Sequence, residues 1–70
     1  MDDKPNLTAS QTTRIATLLY ARAQDNLWPA VDQVLGPDDD TNVNDADIIR
    51  IFNALKALIW VTKTKYLATS

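Results

Sequence analysis

Asn44-Asp45-Ala46-Asp47-Ile48-Ile49-Arg50-Ile51-Phe52-Asn53-Ala54-Leu55-Lys56-Ala57-Leu58-Ile59-Trp60-Val61-Thr62-Lys63-Thr64-Lys65-Tyr66-Leu67 is the stretch that decides the fold. On a helical wheel Ile48, Ile51, Phe52, Leu55, Leu58, Ile59, Thr62 and Tyr66 share one face. Such a stripe, about five turns long, marks an amphipathic helix and predicts the strongest part of the core. Asn44 suits the cap, because its side-chain oxygen accepts a bond from a free N–H of the first turn. Asp45 and Asp47 then face the positive end of the helix dipole, and Lys63 and Lys65 face the negative end.

Upstream lies a polar loop, residues 36–43, that contains Asp38, Asp39 and Asp40. Gly36-Pro37 closes a short second helix over about 29–35, with Val31, Val34 and Leu35 inward. Pro29 suits the start of that helix and disfavours helical backbone at Trp28. A first helix is expected over about 8–27, capped by Thr8 or Asn6, with Ile15, Leu18 and Leu19 inward. Ala16, Tyr20, Ala23 and Leu27 widen this face, and Arg22 lies within it as a side chain that packs its stem and keeps its head in water. Residues 1–7 form an N-terminal arm. The expectation is a single all-α domain over residues 1–70, three helices in a long–short–long order.

Composition narrows the chemistry. With 70 residues the core is small, and such scaffolds usually need a disulfide, a metal, a partner chain or very good packing. The chain has no Cys and no His, which removes disulfides, thiol chemistry and a structural zinc site. An apolar fraction of 46% argues against disorder. All nine acids are Asp, a residue that favours caps and loops over helix interiors. No cofactor-binding motif stands out. Neither a Gly-rich phosphate loop nor a nucleophile paired with a base is present, so the reading is non-enzymatic. The N-terminus lacks the apolar run of a signal peptide, and the apolar run Ala57–Val61 is too short to cross a bilayer. A cytoplasmic setting is the expectation.

Asp2-Asp3-Lys4-Pro5-Asn6-Leu7 parallels Asp38-Asp39-Asp40-Thr41-Asn42-Val43, and Arg14-Ile15 parallels Arg50-Ile51, at the same offset. Reuse of helix-start chemistry explains this as well as duplication does.

The acidic loop admits a calcium reading. In an EF-hand-like register Asp38 takes position 3, Asp40 position 5, Asn44 position 9 and Asp47 position 12. Over residues 36–51 this resembles the second loop of dockerin modules. The resemblance implies a calcium-dependent binding module with Asp38, Asp40, Asn44 and Asp47 as ligands. Gly36 stands where that pattern has an acid, and Thr41 where it has Gly. The loop is therefore read as solvated, with its acids serving as caps and no metal bound. A helix-turn-helix reading rests on Arg50, Lys56, Lys63 and Lys65, but these are scattered around the helix, and a net charge of −2 does not favour nucleic acid.

Beside the main stripe of the third helix lies a second apolar strip of Ile49, Trp60 and Leu67, with Lys56 and Lys63 along its border. Apolar surface rimmed by polar groups, with Trp at its centre, is the composition of an interaction surface. The expected function is protein–protein interaction through these five residues, most simply as a homodimer paired through the third helix. The competing expectation is that the first and second helices flank the third and cover both strips.

Overall fold

The computed structural model describes residues 4–23, 26–36 and 43–69. Its helices are α1 (Ala9–Arg22), α2 (Leu27–Leu35) and α3 (Asp45–Thr69). No strand occurs among the described residues. The domain is all-α, with the long–short–long order expected from the sequence. No described helix is long and apolar enough to cross a membrane.

Each helix start has an identifiable cause. Thr8 Oγ1 accepts a bond from the Gln11 N–H (3.1 Å), and Gln11 Oε1 accepts one from the Thr8 N–H (2.9 Å). This reciprocal capping box satisfies donors that the first turn of α1 leaves free. α3 starts with the same device built from other residues. Asn44 Oδ1 accepts from the Asp47 N–H (2.9 Å), and Asp47 Oδ2 accepts from the Asn44 N–H (3.1 Å). The two boxes stand at the offset seen in the sequence, so the parallel between the two arms extends to their capping chemistry.

The junction between α1 and α2 departs from the sequence expectation. α1 stops at Arg22, short of residue 27, and α2 begins at Leu27, ahead of Pro29. Ala23 adopts the left-handed conformation (φ 49°) and turns its N–H back to the Leu19 and Tyr20 carbonyls, which ends α1. Asn26 Oδ1 then accepts from the Trp28 N–H (3.2 Å) and opens α2. Pro29 falls inside the first turn, where a missing N–H costs no intrahelical bond. Leu27 consequently belongs to α2. At the far end Gly36 takes φ 86° and its N–H reaches the Asp32 carbonyl (2.7 Å).

The buried apolar core is Leu7, Ile15, Leu19, Leu27, Ala30, Val31 and Ile51, with Leu18, Val34, Leu35, Val43, Ile48 and Leu55 packed around it. α1 lies in the middle of the layer. It packs against both α2 and α3, whereas no Cα of α2 comes within 8 Å of one in α3. The arm leading into α1 is bonded to the first turn of α3, and Thr13 and Ala16 of α1 line a groove with Ala54, Ala57, Leu58 and Val61 of α3. The two helices therefore run in the same sense. α3 is much the longer, 25 residues against 14, and its side chains from Ile59 to Leu67 are exposed.

This arrangement corrects the expected extent of the third helix's core face. Ile51 is fully buried, and Ile48, Leu55 and Leu58 are partly so. Phe52, Ile59, Thr62 and Tyr66, assigned to the same stripe, are exposed. One short neighbour covers only a narrow arc of a long helix. The expectation that α2 flanks α3 on its other side also fails, because α2 rests on α1.

Candidate interaction surface

The two ends of α3 are built differently. At its base, Asp47 is completely buried. Its Oδ1 accepts the Leu7 N–H (3.0 Å), and its Oδ2 accepts the N–H groups of Asn6 and Asn44 (both 3.1 Å). Arg50 closes the arrangement: its guanidinium donates to the Leu7 carbonyl (2.9 Å) and lies 3.9 Å from Asp47 Oδ1. Asn44 Nδ2 donates to the Lys4 carbonyl (2.6 Å). Asn44, Asp47 and Arg50 thus tie the N-terminal arm to the first turn of α3. Leu7, the residue held in this way, packs into the core.

Burial alone pushes the Asp47 carboxyl up, since it disfavours the charged form. The N–H groups of Leu7, Asn44 and Asn6, with the Arg50 charge, outweigh that effect and hold it below the usual aspartate value. A carboxylate placed like this is a structural clasp. It also bears on the calcium register, because the proposed position-12 ligand spends both oxygens on backbone donors and Asn44 spends its oxygen on the Asp47 N–H. Asp38 and Asp40, the other two residues of that register, lie outside the described residues, as does Asp39.

At the other end, every side chain from Ile59 to Leu67 is exposed. Ile49 is 60% exposed, Trp60 67% and Leu67 61%, and Lys56 and Lys63 are exposed beside them. These five residues share a face that points away from the core. Sequence reasoning missed the extension of that surface. Phe52, Ile59 and Tyr66 join it, and the signal that could have separated them from the core is their place at the edge of the stripe nearest Ile49 on the helical wheel. Around the helix, Val61 is 54% exposed and borders the groove against α1, which holds about 240 Å³. The groove is lined by Thr13, Ala16, Ala54, Ala57, Leu58 and Val61, a set that offers no charged group for chemistry.

Large apolar side chains in water cost free energy in proportion to their area, roughly 25 cal/mol per Å². A continuous patch of this kind commonly marks a contact surface in small proteins. Family models, curated proteins and solved structures give no match to this chain.

Proposed function

We propose that this protein is a non-enzymatic interaction module that works through the outward face of α3, and that it self-associates through it. The observation that carries the reading is the outward side of α3, where Ile49, Ile59, Trp60, Tyr66 and Leu67 are all exposed away from the groove that Leu58 and Val61 form against α1. Most helical stability in proteins comes from packing an amphipathic face. A second helix laid against the face would supply that packing. Lys56 and Lys63 suit the rim of such a contact, since their stems cover apolar surface while their charges stay in water.

The test is the mass of the native particle over a range of concentrations. Sedimentation equilibrium from nanomolar to high micromolar protein should show a monomer giving way to a dimer. Trp60→Ala should move that transition to higher concentration while leaving the helical signal of the dilute protein intact. A monomer at every concentration would refute self-association.

A further inference from the structure

We propose that the occupant of the α3 face is a second copy of this chain laid antiparallel, with Asp45 of each copy beside Lys63 of the other. The inference rests on the self-association just proposed and adds its direction. Two observations lead to it: charge order along the chain and the composition of one helix face.

Charge is segregated along the chain. All nine acids lie at or before Asp47, where they are accompanied by three bases, Lys4, Arg14 and Arg22. From Ile48 onward there are four bases, Arg50, Lys56, Lys63 and Lys65, and no acid. A parallel pair would set like charge against like along its whole length. On α3 an antiparallel pair sets the exposed Lys63 of each copy against the exposed Asp45 of the other, the kind of complementarity that fixes register at interfaces.

The same order appears on the exposed face of α3 itself. At 3.6 residues per turn, Asp45, Ile49, Phe52, Lys56, Ile59, Trp60 and Lys63 fall within about a third of the helix circumference. All seven are exposed. The face therefore reads acid, apolar pair, base, apolar pair, base. When two such faces meet head to tail with Asp45 over Lys63, Ile49 lies across from Ile59, and Phe52 lies across from Lys56, so that a cation meets a ring. The contact obeys two-fold symmetry, so each pairing occurs twice. The overlap from Asp45 to Lys63 is about 28 Å of helix. Ile49, Phe52, Ile59 and Trp60 leave on the order of 500 Å² open per copy, and the lysine stems raise that toward the roughly 800 Å² per partner of a stable interface.

The experiment is charge reversal read by the dimer dissociation constant. Lys63→Asp in the full chain creates two Asp–Asp contacts in the antiparallel pair and should weaken dimerisation about tenfold. Adding Asp45→Lys to the same chain recreates both opposite-charge contacts and should restore affinity, which a mere folding defect would not permit. For the unmodified chain, raising salt from about 20 mM to about 300 mM should weaken the dimer, because screening removes attraction. A dimer that is indifferent to Lys63→Asp, or that tightens with salt, overturns the antiparallel orientation and leaves self-association standing. An unmodified chain that stays monomeric at every concentration overturns both. A monomer that instead binds vesicles of anionic lipid would give the face to a membrane surface and also overturn both.

Discussion

The first two turns of α3 and its last three belong to one continuous helix, yet they are stabilised on different terms. At the base, a capping box, a buried carboxylate and Ile51 engage the arm and the core together. From Ile59 to Leu67 every side chain of the helix is exposed, several of them large and apolar. Hydropathy alone would rank the second region as the better core, since it holds Ile59, Trp60, Val61 and Leu67 in close succession. Burial follows neighbours, however, and the neighbour here is a shorter helix. The contrast teaches that in a small domain the polar end of a helix can hold the fold while its apolar end stays exposed.

The contrast is broken most directly at Asp47. Asp47→Ala removes the acceptor for three backbone N–H groups and leaves Arg50 beside an empty site. Unpaired buried donors cost about 1–3 kcal/mol each, and loss of one partner of a buried ionic group costs about 3–5 kcal/mol. A domain of this size holds on the order of 5 kcal/mol. The expected outcome is a chain that has largely lost its helical signal at 25 °C, measured by circular dichroism. A cooperative melt close to that of the parent would show that the clasp is dispensable.

The same carboxylate sets a pH dependence. Its folded-state value is depressed below the ordinary aspartate value, so the unfolded chain takes up the proton first as pH falls. The stabilisation is complete above about pH 4 and is lost as pH drops through the folded-state value. Melting temperature should thus fall on acidification in that window, and Asp47→Asn should flatten the fall. An equal acid response in parent and variant would assign it to the other acids.

Ile51 tests the apolar part of the base. It is fully buried in the apolar core. Ile51→Ala removes buried methyl and methylene groups and leaves a cavity, at a cost of about 2–4 kcal/mol. Chemical denaturation should show a midpoint shift of that size. Leu55→Ala, one turn further along and only partly buried, should cost less. If the two costs came out equal, the core would extend further along α3 than the packing described above.

Much of this was legible in the sequence, and the exceptions have physical causes. The three helices, the Thr8 and Asn44 caps and the role of Gly36 follow from local chemistry, because a cap answers to residues within one turn. The boundary near Pro29 was misplaced, since a proline in the first turn is tolerated at more than one position and Asn26 offers a better cap. The inward assignment of Phe52, Ile59 and Tyr66 failed for a different reason. Periodicity reveals which residues share a face, but the length of the neighbouring helix decides how much of that face is covered. Asp47 was recognised as a first-turn acid, while its bonds to Asn6 and Leu7 span 40 residues or more and lie beyond any local rule. The strip of Ile49, Trp60 and Leu67 was found from wheel position alone, and its exposure agrees with that position.

The smallest expected effect is the one that most sharpens the comparison. Trp60 is a large apolar residue, and a Trp truncated within a core would cost about 3–5 kcal/mol. On this helix it is 67% exposed. Surface substitutions away from caps and cavities usually change stability by less than about 0.5 kcal/mol. Trp60→Ala should therefore leave the unfolding midpoint of the isolated subunit nearly where it was, provided the measurement is made dilute enough that association contributes nothing. At high concentration the parent should gain stability by mass action and the variant should not. The informative quantity is the gap between parent and variant midpoints as protein concentration rises. A gap that is near zero when dilute and widens with concentration locates the contribution of Trp60 between chains. A gap of several kcal/mol that is already present at nanomolar protein would place Trp60 inside the fold, and the two ends of α3 would then be alike in kind.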